Sequence, residues 1–118
     1  MANDLQANMN LIVRFQQLTI SGEMVWKIAV PHSAIRHMKD EYISTCYHSE
    51  FRGSDIYLYV ERYTYYNGEF DNWAFSERTV LTIIENDFIS WENSNDQILL
   101  DDLLRIVMNS TANISKFF

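Results

Sequence analysis

Cys46 and His48 stand two residues apart, with His32 and His37 upstream in the same chain. Thiolate and imidazole are donors that zinc accepts, and a thiolate beside an imidazole is also how a cysteine nucleophile meets its base. On an extended strand, residues two apart share a face, so Cys46 and His48 form half of a metal site, with His32 or His37 needed as a third ligand. The same alignment counts against catalysis. Side chains on one face lie parallel instead of pointing at one another, and no glycine-rich turn stands near Cys46 to supply amide donors to an oxyanion. The sequence therefore assigns no catalytic residue, no metal and no cofactor, and leaves a half-buried cysteine beside a surface histidine as the plain expectation.

Paired carboxylates are the other chemistry the composition offers. Asp40, Glu41, Glu50, Asp55, Glu61, Glu69, Asp71, Glu77 and Glu85 are spread over the middle of the chain, and two of them across neighbouring strands would share a cleft with Tyr59 or Trp73, as hydrolytic acid–base pairs do. Acidic residues beside aromatics equally describe a solvated edge or a protein-binding face. The phosphate-binding loop, the dinucleotide glycine fingerprint, zinc-peptidase and calcium-loop spacings, the serine elbow and paired Cys-x-x-Cys motifs are absent. Three glycines are too few for a phosphate cradle.

The densest signal is aromatic: Tyr57, Tyr59, Tyr63, Tyr65, Tyr66, Phe70, Trp73 and Phe75 follow one another with few charges between them. Such residues suit a pleated, half-buried surface. Tyrosine and tryptophan also anchor protein interfaces, because they bury large rigid areas while keeping a polar end. An aromatic sheet can stack nucleobases, but such platforms sit in basic grooves, and here 16 acidic residues against 9 basic ones give a net charge of -7. That balance repels phosphate backbones and anionic lipid and favours a basic partner.

These side chains need elements to hold them. Leu5, Met9, Ile12 and Phe15, widened by Leu11 and Leu18, recur at helical spacing from Asp4 to about Thr19, and Ser21-Gly22 offers the turn that ends the helix. Met24, Trp26, Ile28 and Val30 alternate with Val25, Lys27 and Ala29 up to Pro31, which reads as a strand. Residues 32–40 carry Ala34, Ile35 and Met38, a helical turn or two or an irregular connection. Tyr42 to Phe51 reads as a strand with Ile43, Thr45, Tyr47 and Ser49 on one side. After a turn at 52–55, Ile56, Leu58, Val60 and Arg62 alternate against Tyr57, Tyr59, Glu61 and Tyr63. Asn67-Gly68 turns the chain, and the loop runs through Asp71-Asn72 to a strand at 74–85. Asn86-Asp87 turns it again, and Phe88, Ile89 and Trp91 form a short last strand. Ser94 and Gln97 have the spacing of a capping box ahead of a helix whose face is Leu99, Leu103, Ile106 and Val107, with Asp101 and Arg105 paired on its wet side.

The order predicts an α+β fold, with N- and C-terminal helices packed on one face of a four- or five-stranded antiparallel sheet. At 118 residues the chain makes one domain, with 110–118 a less regular tail ending in Phe117-Phe118. The other sheet face is expected to stay open and carry the tyrosines. The partner surface is then Tyr57, Tyr59, Glu61, Tyr63, Tyr65, Tyr66, Phe70 and Trp73, and Tyr57→Ala or Tyr59→Ala should weaken binding and spare the fold. Met1-Ala2-Asn3-Asp4 lacks the basic start of an export signal, no apolar run reaches bilayer length, and the lone cysteine excludes an intrachain disulfide. A cytoplasmic protein is expected, with Asn109-Ser110-Thr111 and Asn113-Ile114-Ser115 as ordinary tail residues. The function this supports is a non-catalytic protein-protein interaction domain, inhibitor- or immunity-type or a subunit of an assembly, acting on a basic protein partner. It is expected to bind neither nucleic acid nor membrane. The alternatives are a small-molecule-binding protein or carboxylate-based hydrolase with a cleft on the aromatic face, and a homodimeric structural protein.

Overall fold

The computed structural model describes residues 2–38 and 42–112; Asp40, Glu41 and the 113–118 tail with Phe117 and Phe118 lie outside them. The elements run α1 (Ala2–Ser21), β1 (Lys27–Ile28), α2 (Ser33–Met38), β2 (Tyr42–Phe51), β3 (Ser54–Asn67), β4 (Asn72–Glu85), β5 (Phe88–Asn93) and α3 (Gln97–Thr111). The five strands form one antiparallel meander in sequence order. Two-residue turns drive this topology: Arg52-Gly53 and Asn86-Asp87 all have positive φ, the backbone that matches the twist of a hairpin.

One face of the sheet is the main core. Ile12, Phe15 and Leu18 of α1 and Leu100, Leu103 and Val107 of α3 pack there against Tyr47, Ile56, Leu58 and Leu81. Each such side chain contributes on the order of 1.5–3 kcal/mol by leaving water. Gly22 at φ +83 ends α1. The stretch expected as a strand at 24–30 is reduced to the short β1, yet Met24 and Trp26 still reach this core. The Trp26 indole N–H donates to Thr19 Oγ1 at 2.9 Å, and Thr19 Oγ1 donates to the Phe15 carbonyl at 2.7 Å. The tryptophan is thus pinned to α1 rather than to a ladder.

The second face is not open. α2 crosses it and buries Ile35 against Cys46, Tyr57, Tyr59, Val80 and Ile84. Ser44 is an extra residue between the Ile43–Glu61 and Thr45–Val60 pairs. A bulge shifts the alternation by one, which moves Ile43 from the side of Thr45 and Tyr47 to that of Cys46 and Tyr59. Ser90 does the same in β5, sending Ile89 to the α2 face and Trp91 to the helix face.

The α3 start also differs from the capping box. Asp96 is the cap residue without a side-chain cap bond, while Asn93 Oδ1 accepts the amides of Asn95 and Asp96. Gln97 bridges the helix start and the sheet: its Nε2 donates to the carbonyls of Ser94 at 2.7 Å and Thr79 at 2.8 Å, and its Oε1 accepts the Thr79 N–H at 3.0 Å. Asp101 accepts the Thr79 hydroxyl at 2.7 Å, so Arg105 pairs with Asp102.

Candidate functional site

Cys46 and His48 do share a face, but the histidine faces away from the thiol. His48 Nε2 lies 2.8 Å from Asp55 Oδ1, and its ring rests 4.8 Å from that of Tyr57. Cys46 is buried, and burial pushes its thiol up from 9.0 to about 12. That holds the sulfur as the protonated, poorly nucleophilic form. His32 accepts the Ala34 amide on Nδ1 at 3.0 Å and sets Nε2 3.4 Å from Asp87 Oδ1. Among the described residues, no three His, Cys, Asp or Glu side chains gather as a metal site.

The expected partner surface divides in two. Tyr57 and Tyr59 are buried under α2, and Glu61 is fully buried, accepting from Arg78 Nε at 2.5 Å. Their anticipated exposure does not hold, because an open second face was assumed and α2 covers it. Burial and the Asp55 charge together raise the Tyr57 phenol. Tyr63 is half-buried beneath the Arg78 guanidinium, 4.9 Å from its ring centre. Tyr65, Tyr66, Phe70 and Trp73 are exposed.

The exposed group owes its position to strand length. β3 and β4 each continue beyond their neighbours: β2 reaches only to the Tyr42–Arg62 pair, and β5 only to the Leu81–Asn93 pair. Residues 63–67 and 72–76 therefore pair only with each other among the described residues, forming a two-stranded arm. Its register sets two faces. Trp73 opposite Tyr66, Phe75 opposite Thr64 and Glu77 opposite Arg62 lie on the side of α1 and α3, while Tyr63, Tyr65, Ala74 and Ser76 lie on the α2 side. The Tyr66 and Trp73 rings meet edge-on at 5.7 Å, the Arg62 guanidinium stands 5.9 Å from the Phe75 ring, and Arg62 reaches Glu77 at 3.4 Å. At the tip, Asp71 takes φ +50 and accepts the Tyr66 hydroxyl, which raises that phenol.

Phe75, absent from the expected partner residues, is 68% exposed, level with Trp73 and Phe70 at 69%. It belongs to the same aromatic run, and its pairing with Thr64 is what places it beside Trp73. A concave site joining His48, Tyr59, Glu61 and Trp73 does not form: two of these are interior, and Trp73 is on the opposite face of the arm. A shallow groove of about 300 Å³ lies between β4 and α3, lined by Val60, Glu77, Arg78, Thr79, Gln97, Asp101 and Leu104. No helix among the described residues is long and apolar enough to cross a membrane.

No protein-family model, curated protein or solved structure matches the chain.

Proposed function

We propose that the chain is a non-catalytic protein-binding domain that makes its contact through the β3–β4 arm. The supporting observation is the exposure of Tyr65, Tyr66, Phe70, Trp73 and Phe75 together on one ribbon. At half to two-thirds exposure such rings present roughly 100–150 Å² each. Tyr66, Trp73 and Phe75 share one face of the ribbon and Tyr65 lies on the other; the three together present roughly 300–450 Å², the size of the largest apolar patch on an ordinary monomer, which is often a functional one. An isolated two-stranded hairpin is also marginal in water, so docking stabilises both the rings and the ribbon. The net charge of -7 supports an inhibitor or assembly subunit on a basic protein. A cleft for a small molecule or a carboxylate pair loses its support where Tyr59 and Glu61 are interior. The second reading, self-association, is favoured by the backbone edge of the same arm, which is unpaired among the described residues.

The test is the mass in solution of complexes recovered from the native cell with wild-type protein and with a Tyr66→Ser, Trp73→Ser variant. The wild type should recover as a complex, and the variant as a folded monomer of 14.0 kDa. A variant that keeps the complex would refute the arm as the contact. So would a wild type that stays monomeric and carries a bound small molecule.

A further inference from the structure

Among the described residues nothing pairs with the outer edge of β4 at residues 72–78, and its hydrogen-bonding groups stand in an order that fits itself. Thr79 turns its N–H and carbonyl away from β3, toward Gln97. In an antiparallel ladder the direction alternates residue by residue, so Glu77, Phe75 and Trp73 also turn theirs outward. β5 pairs with none of these positions. The free stretch is bounded at one end by Gln97 on Thr79 and at the other by the turn at Asp71. Natural edges of this length are ordinarily guarded by lysine, proline or a bulge. Residues 72–78, Asn-Trp-Ala-Phe-Ser-Glu-Arg, contain no lysine, proline or bulge, and their two charges, Glu77 and Arg78, stand together at one end.

We infer that the outer edge of β4 at residues 72–78 pairs antiparallel with the same edge of a second copy of this chain, with Phe75 on the two-fold axis. The proposal rests on the arm being the contact surface. Phe75 is the centre because the stretch between the two boundaries is symmetric about it. With the axis there, Phe75 meets Phe75 and Trp73 meets Glu77 of the second copy, all outward-turned, for about six backbone hydrogen bonds. An axis at Ala74 sets Glu77 against the turn residue Asp71, and an axis at Ser76 sets Trp73 against the clamped Thr79. Either shift leaves about four.

Side chains agree with the same register. No like charges face each other: Asn72 lies opposite Arg78 of the second copy and Ala74 opposite Ser76. The two Phe75 rings, both 68% exposed, become neighbours, and Trp73 sets its indole N–H toward a carboxylate. The isologous contact closes on itself and does not propagate. Trp73, Phe75 and the strand edges of both copies bury about 1,000 Å², the lower bound for a specific interface, so the dissociation constant should fall near the micromolar range.

Sedimentation equilibrium across about 1 µM to 1 mM tests this, with wild type, Phe75→Lys and Glu77→Pro. Phe75→Lys places two cations on the axis, and Glu77→Pro removes an outward amide that the monomer does not use. The wild type should sediment at twice 14.0 kDa at the upper concentrations. Each variant should weaken association at least ~100-fold with an unchanged circular dichroism spectrum. In variants with one added cysteine, mild oxidation should link Phe75→Cys to itself in preference to Ala74→Cys or Ser76→Cys, since Cys46 is buried and only position 75 meets its own copy. A dimer unaffected by Phe75→Lys and Glu77→Pro, or self-linking strongest at position 74 or 76, would overturn the pairing. A wild type monomeric throughout would overturn the dimer; if it then bound a different protein that the Tyr66→Ser, Trp73→Ser variant could not, the arm would stand as a contact surface with another occupant.

Discussion

Truncating Tyr59 should destabilise the protein several times more than truncating Trp73, although both belong to one aromatic run. Tyr59 is 0% exposed, beneath Ile35 and between Cys46 and Val80, with its hydroxyl 3.3 Å from Thr82 Oγ1. Removing a fully buried ring from such a place costs about 3–5 kcal/mol in transfer and cavity terms, and the lost hydroxyl contact adds about 0.5–1.5 kcal/mol. Trp73 is 69% exposed and touches chiefly Tyr66 across the ribbon, a cross-strand pair worth roughly 0.5–1 kcal/mol. Against a total stability of about 5–15 kcal/mol, Tyr59→Ala leaves a marginal protein and Trp73→Ala an ordinary one. Urea melts give the contrast directly. With a slope of about 1.5 kcal/mol per molar, the midpoint should fall by about 2–4 M for Tyr59→Ala and by under about 0.7 M for Trp73→Ala. Both melts belong at low protein concentration, where self-association adds nothing. Equal losses would mean that the arm is packed on the body, and a loss below about 1 kcal/mol for Tyr59→Ala would mean that α2 does not seal the second face.

Gln97→Ala should cost about 1–2 kcal/mol through the two bonds to the Thr79 backbone, and hydrogen exchange should show the Thr79 amide losing protection ahead of its neighbours in β4. Cys46 makes stability fall in alkali. Its thiol is raised from 9.0 to about 12 by burial, so the folded state keeps a proton that the unfolded state releases. The contribution is whole below about pH 9 and is lost between about pH 9 and 12; urea midpoints of wild type minus Cys46→Ala should show that slope, and a flat difference would contradict the burial. Added salt separates the two occupants of the arm. Screening should strengthen association between copies that each carry -7 and weaken binding to a basic partner, as titrations at about 0.05 and 0.5 M salt would show.

Helix, meander, helix was legible because each part has a local cause: the helical spacing of Ile12 and Phe15, although Leu5 and Met9 of the same stripe are exposed and Leu18 at its margin is buried; the Arg52-Gly53 and Asn86-Asp87 turns; and the last apolar face, where Leu103 and Val107 are buried as read and the flanking Leu100 is more buried than Leu99 and Ile106. Alternation in β3 likewise separated Ile56 and Leu58 from Tyr57 and Tyr59 correctly. It could not say that both sets are covered. The second cover comes from the short helix α2, whose few turns show almost no periodicity, and a tyrosine suits a core as well as a wet surface. The bulge at Ser44 is invisible to a period of two, which is why Ile43 was expected on the wrong face. Gln97 fits a capping box by spacing, but a tertiary partner, the Thr79 edge, competes for the same amide. The arm was half legible: its aromatics were singled out, but the separation of Tyr57 and Tyr59 from Tyr65, Tyr66 and Trp73 depends on where β2 and β5 stop.

That boundary also organises the composition. In β3 the covered portion supplies Ile56, Leu58 and Val60 beneath the terminal helices and Tyr57 and Tyr59 beneath α2, so both faces can be apolar. Past the Arg62–Glu77 pair no neighbouring strand is paired among the described residues, and the large aliphatic side chains cease as well: the ribbon continues on Thr64, Tyr65, Tyr66, Trp73 and Phe75. Aromatics with a polar end tolerate water better than isoleucine or leucine and bury more area on docking. Charge follows the same division. Residues 62–78 hold two arginines and three carboxylates, a net -1, so -6 of the -7 belongs to the rest of the chain. Another molecule approaching the arm therefore meets a nearly neutral, aromatic ribbon with an open strand edge, while the strongly acidic body keeps other modes of aggregation at a distance. An edge guarded only by Glu77 and Arg78 at one end is limited by its boundaries: between Gln97 on Thr79 and the Asp71 turn, only a short partner strand can use it.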